Sequence, residues 1–152
     1  MKKALTILCA ALFAACIFAG CSSASSSASA GKASAAASVA VTDGVIQDAG
    51  TYTVPVTLEG GSGKASIQSP ATVKANDNGM TATIVWSSSN YDLMVIDGTE
   101  YRPVSASGNA TFEIPVATLA APLSLQAETT AMGTPHLIDY TIVFDASAVK
   151  AA

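Results

Sequence analysis

From about Val41 to Asp145 apolar and polar residues alternate with the period of two that a half-buried strand requires. Tyr52, Val54, Val56 and Leu58 interleave with Thr53, Pro55 and Thr57, and the proline marks an edge or a bulge. The signal returns at residues 71–75, 81–87, 91–96, 100–104, 110–116, 123–129 and 136–145. Turn sequences separate these runs: "NDNG" from Asn76, Asp97-Gly98, "SGN" from Ser107 and "GTP" from Gly133. About seven or eight short strands at that spacing predict an all-β, Ig-like antiparallel sandwich with a single core. Parity places Ala82, Ile84 and Trp86 on one inner face, Phe112 and Ile114 on another, and Ile138, Tyr140, Ile142 and Phe144 on a third.

Two segments break the alternation. "EGGSGKASIQSP", residues 59–70, has room for one helical turn at Lys64 to Ile67, and "VATLAAP", residues 116–122, reads as a crossover between sheets. Longer loops of a compact sandwich are where binding usually sits.

Before the domain, Met1-Lys2-Lys3 and the apolar run Ala4 to Ala19 have the form of a secretory leader. The run is short for a membrane span. It ends in Ile17-Phe18-Ala19-Gly20-Cys21, the small-small-Cys shape of a bacterial lipobox, and "FAAC" at Phe13 to Cys16 is a weaker second match. The expected organisation is a signal peptide over residues 1–20, a lipidated Cys21 opening a Ser/Ala-rich tether over 21–40, the sandwich over 41–146 and a tail over 147–152. The protein is thus expected outside the cytoplasm, held to the cell membrane by lipid. All three cysteines, Cys9, Cys16 and Cys21, lie in or at the end of the leader, which leaves the domain no disulfide and no thiolate metal site. The net charge is −4 and becomes more negative once Lys2 and Lys3 are removed, which argues against nucleic-acid partners.

Reactive side chains are sparse. "GGSGKAS" lacks the first Gly and the final Ser/Thr of a phosphate-binding loop, with Leu58 and Ala65 in those places. His136 is the one histidine and so the one candidate base for a serine hydrolase, but Asp139 faces the other side of its strand and no Gly-x-Ser-x-Gly is present. Glu100, Glu113 and Glu128 alternate with apolar residues as solvent-facing strand positions do, and "NAT" at Asn109 is better read as a hairpin turn than as a glycosylation acceptor. The expected class is not an enzyme.

What remains is "HLIDYTIVF", residues 136–144, with His136 and Tyr140 on one strand face about 13 Å apart. That is too far for one small ion; a wider, flat ligand could touch both, or Tyr140 lies deeper as a core residue and the lone histidine has a structural role. "YTVPVTL", "ATIVWSSSNYDLMVIDGTEY", "TFEIPV" and "HLIDYTIVF", taken in order, resemble a divergent NEAT (near-iron-transporter) domain of Gram-positive surface proteins over roughly residues 50–145. The resemblance implies an Ig-like sandwich that holds haem between a short helix after the first strand and the hairpin of the last two strands. It puts His136 in the family's iron-ligand position and Tyr140 in that of the supporting tyrosine, and imidazole is a competent haem ligand. It places the short helix within residues 63–69, with Lys64 toward a propionate and Ile67 toward the ring, and Met132 as a candidate for the second axial position. The implied role is binding haem, or a related iron ligand, for uptake or for relay between a haem-carrying protein and an ABC-type membrane transporter. Two alternatives use the same chain differently: a copper site from His136, Met132, Met94 and Met80, or an Ig-like interaction or spacer module without cofactor.

Overall fold

The computed structural model describes residues 39–105 and 107–152. The expected leader, Cys21 and nearly all of the tether lie outside the described residues.

Twelve strands form one small hairpin and two five-stranded sheets. The hairpin is β1 (Val41–Thr42) with β2 (Val45–Ile46). The first sheet contains β3 (Gly50–Val54), β5 (Ala71–Asn76), β6 (Gly79–Val85), β9 (Thr111–Val116) and β12 (Lys150–Ala151), in the order β12-β3-β5-β6-β9. The second contains β4 (Val56–Gly60), β7 (Tyr91–Ile96), β8 (Thr99–Tyr101), β10 (Leu123–Thr129) and β11 (His136–Phe144), in the order β4-β11-β10-β7-β8. Every pairing is antiparallel. No α-helix occurs among the described residues; a 3-10 turn, Ala146–Ala148, follows β11.

The core lies where the two inner faces meet. Trp86, Phe112, Ile84, Met94, Ile114 and Ile142 are among its largest fully buried side chains. Each stabilises the fold by about 1.5–3 kcal/mol relative to exposure. Most outer positions of the first sheet are Thr, Lys and Glu, including an exposed Lys74–Glu113 ion pair at 3.7 Å. The crossover expected at residues 116–122 carries the chain from β9 to β10 and drops Leu119 into the core.

Three local expectations are corrected. The run expected to be one strand through Pro55 is two, β3 in one sheet and β4 in the other, because proline has no N–H for either ladder; its carbonyl accepts from Asp145 N at 2.9 Å. The helical turn expected at Lys64 to Ile67 is extended. Gly60, Gly61 and Gly63 take positive φ, and the backbone beyond them bonds across to β6 and the residues after it instead of to its own preceding turn: Gln68 N donates to Val85 O, Ser87 N to Ser66 O, and Ile67 bridges to Trp86. The tail expected after residue 146 is ordered into the first sheet, with Lys150 opposite Thr53 and Ala151 opposite Tyr52.

The strand registers also define the two ends of the sandwich. At one, Trp86 meets Tyr91 and Tyr140. At the other, about 20 Å back along β6 at the strand rise, Met80 Sδ accepts from Ile46 N at 3.4 Å and Gly44 O accepts from Leu119 N at 2.7 Å, so the β1–β2 hairpin packs there.

Candidate functional site

At the Trp86 end a cleft of about 210 Å³ opens between the loop after β4 and the β10–β11 hairpin. Its floor is aromatic. Tyr91 stacks on Trp86 with centroids 4.0 Å apart, and Tyr140 meets Trp86 edge-on at 5.2 Å. The Tyr91 and Tyr140 hydroxyls are hydrogen-bonded to each other at 3.2 Å. Burial, with the Tyr140 hydroxyl adding to it, pushes the Tyr91 phenol far above its usual range, so Tyr91 stays protonated.

Tyr91 was not singled out by the sequence reading, and the reason is a β-bulge. Glu128 pairs with Leu93 but Thr129 with Tyr91, which leaves Asp92 as the extra residue. Strict parity would put Tyr91 on the outer face with Leu93 and Val95; the bulge turns it inward beside Met94. The apolar run "LMV" within "YDLMVI" is the one sequence sign that the alternation fails here.

The wall formed by the β4–β5 loop brings Ser62, Lys64 and Ala65; the opposite wall brings Thr129, Ala131, Met132 and Ile138. Lys64, Met132 and Tyr140 therefore do meet at one cleft. Met132 is 79% exposed at the rim, so it is not a packing residue of the hairpin. His136 opens β11 opposite Thr129, on the same strand face as Ile138 and Tyr140, but it is exposed and stands outside the cleft lining. Ile67 is not in the cleft; it packs half-buried against the core beside Trp86.

The methionines of the copper alternative do not converge. Met94 Sδ accepts from Trp86 Nε1 at 3.4 Å deep in the core, and Met80 Sδ is engaged by Ile46 at the far end. No group of three or more His, Cys, Asp or Glu is arranged for a metal among the described residues. A larger groove, about 450 Å³, lies on the outer face of the second sheet and is lined by Asp97, Gln126 and Asp139 among others. It is wide open, and Gln126 Nε2 already donates to Asp139 there at 2.9 Å.

The side chains of the hairpin cleft fit a haem: a cation at the mouth, walls that carry Ala65, Ala131, Met132 and Ile138 beside Ser62 and Thr129, an aromatic floor, and an imidazole outside the lining. Its volume is below the 300–1,000 Å³ typical of sites that enclose a small molecule, so a ring of that size would enter by one edge and remain partly in solvent.

The fold is that of a NEAT-like sandwich. No family model and no curated protein sequence matches the chain. Among solved structures it is similar to the NEAT5 domain of IsdX2, a B. anthracis hemophore, in complex with haem, at a TM-score of 0.54 and 17% identity, over 66% of this chain and 98% of that one. A single-residue mutant of the same NEAT5 domain, also in complex with haem, gives a TM-score of 0.53 at 17% identity with the same coverage.

Proposed function

We propose that this chain is a surface lipoprotein whose NEAT-like domain binds haem as cargo in the hairpin cleft. The observation that carries the reading is the meeting of Lys64, Met132, Ile138 and the Tyr91–Tyr140 pair in one slot between the β4–β5 loop and the β10–β11 hairpin, in a fold whose similar solved structures are complexes with haem. His136, at the rim on the same strand face, is the proposed iron ligand. Tyr140 supports the ring from the floor, and Lys64 faces its carboxylates.

The anchor and the partners belong to the same proposal. Cys21 is lipidated, the Ser/Ala tether spaces the domain from the membrane, and haem passes between a haem-carrying protein and a membrane transporter. Cys21→Ala should release the protein from membranes or trap its precursor; unchanged retention and processing would remove the lipid anchor from the proposal.

The direct test is haem titration of residues 41–152, followed in the Soret region. A saturable new band is expected. If none develops, the remaining reading is an interaction or spacer module built on the same sandwich.

A further inference from the structure

The end of the sandwich opposite the cleft carries a second concavity, about 350 Å³, between the β5–β6 turn, the end of β9 and the β1–β2 hairpin. Its volume falls in the range of sites that hold a small molecule, which the hairpin cleft does not reach. Gly79 lies opposite Asn76 and two residues before Thr81; with no side chain, and no neighbour within 4 Å of where a Cβ would stand, it leaves the space between them open. Pro115, directly opposite Thr81, joins Val116, Met80 and Val45 as an apolar wall. The hairpin that brings Val45 is pinned in place. Thr118 Oγ1 donates to Asp43 O at 2.8 Å, and Gly44 fits so closely that a Cβ there would run into Ala120 N and Thr118 Oγ1. Val45 is therefore held at the wall, and the pocket is formed before any ligand arrives.

Its polar groups are neutral and free. Asn76 Oδ1 accepts from Asn78 N at 2.9 Å, which fixes the amide and leaves both protons of its NH2 group to give. The Asn78 amide and the Thr81 hydroxyl have no partner among the described residues. No charged side chain lines the pocket; Asp77, between the two asparagines, stands outside the lining. Lys74, opposite Thr81, is paired with Glu113 at 3.7 Å, so the adjoining sheet face brings no net charge. An anion would find no free cation here, and a metal ion no carboxylate. Amide and hydroxyl groups that both give and accept, beside an apolar wall, match a ring with hydroxyls on its rim and C–H groups on its face. Independently of the haem reading, we propose that this end of the domain is a second binding site, for neutral saccharides. Asn76 and Asn78 bond adjacent hydroxyls of the sugar, Thr81 bonds a third, and Pro115 and Val116 cover the C–H face.

The experiment is an NMR titration of the full mature chain, labelled with nitrogen-15, with neutral trisaccharides of glucose and of N-acetylglucosamine. At least one should shift the Asn76 and Asn78 side-chain amides and the backbone amides of Gly79, Thr81 and Val116 saturably, with a Kd at or below about 1 mM. The Trp86 indole, about 20 Å away along β6, should not move. Thr81→Val and Asn78→Asp keep the side-chain volume and should each weaken binding about fivefold or more, the loss of one hydrogen bond. Thr81 is only partly buried and Asn78 is exposed, and an otherwise unchanged spectrum verifies the fold of each variant. Absence of shifts at these residues with either probe at about 100 mM overturns the proposal, as do shifts confined to the Trp86 end. Variants that bind as tightly as the parent overturn the assigned contacts, and tighter binding of a sulfated trisaccharide overturns the neutral class.

Discussion

Gly61 lies so close against the ring of Tyr140 that a Cβ at position 61 would stand 2.6 Å from Tyr140 Cε1, with the ring carbon that bears the hydroxyl and the hydroxyl oxygen each at 2.9 Å. The β4–β5 loop thus covers the tyrosine with bare backbone, and Gly61 also has φ +58, where an L side chain is strained. Gly61→Ala should lower stability by about 2 kcal/mol or more, the sum of backbone strain and the steric clash. Gly63→Ala is the control. It has positive φ as well but no neighbour within 4 Å, and should cost only about 1 kcal/mol. Equal urea midpoints for the two variants would show that the loop does not rest on Tyr140.

The phenol pair predicts sensitivity to alkali. In the unfolded chain Tyr91 ionises near about 10, whereas burial and the Tyr140 hydroxyl hold it protonated well above that in the fold. Across this window the unfolded state binds fewer protons, so stability is greatest below it and falls as pH rises. Urea midpoints should decline above about pH 10, more steeply for the parent than for Tyr91→Phe. Parallel profiles would mean that Tyr91 titrates alike in both states.

At the opposite pH extreme the relevant group is Asp145. Its carboxylate accepts from Ser147 Oγ at 2.6 Å and from Ser147 N at 3.0 Å, capping the 3-10 turn, and these bonds hold its pKa below the ordinary aspartate value. A depressed folded pKa stabilises above the unfolded value, and that contribution is lost as pH falls through the folded one. Asp145→Asn should therefore be slightly less stable than the parent near neutrality and should converge with it in acid. A difference that persists unchanged at the acid end would assign the effect to side-chain shape instead of charge.

For the hairpin, His136→Ala should weaken haem binding about tenfold or more and leave the far-UV β spectrum unchanged, since the imidazole is exposed and has no structural partner among the described residues. Tyr140→Phe should weaken it less. A Soret band in His136→Ala identical to the parent's would move the iron ligand elsewhere in the cleft.

The strand sequence was legible because burial on one face forces period-two alternation, and the inward positions of Ile84, Trp86, Phe112, Ile114 and Ile142 followed directly from it. The site was less legible. The β4–β5 loop carries residues compatible with a helical turn, and only the partners waiting on Ser87 and Val85 draw its backbone into an extended path. Tyr91 was hidden by the Asp92 bulge, which reverses parity for one residue, and its partner Tyr140 stands 49 positions away, a relation fixed by sheet register and not by local pattern. Met80 and Met94 read as available thioethers, yet their sulfurs serve as hydrogen-bond acceptors for a backbone amide and an indole inside the fold.

The β1–β2 hairpin at the far end of the sandwich sets how the domain meets its surroundings. The chain enters beside Met80, and β12 runs back along β3 toward the same end, with Ala152 N donating to Thr51 O. Among the described residues the cleft end is built from internal connections, the β4–β5, β6–β7 and β10–β11 loops. Within the described residues, Val41 and Ala152 both lie toward the end of the sandwich opposite the slot. The mouth of the slot is thus left to the loops after β4, β6 and β10 and to the exposed Met132.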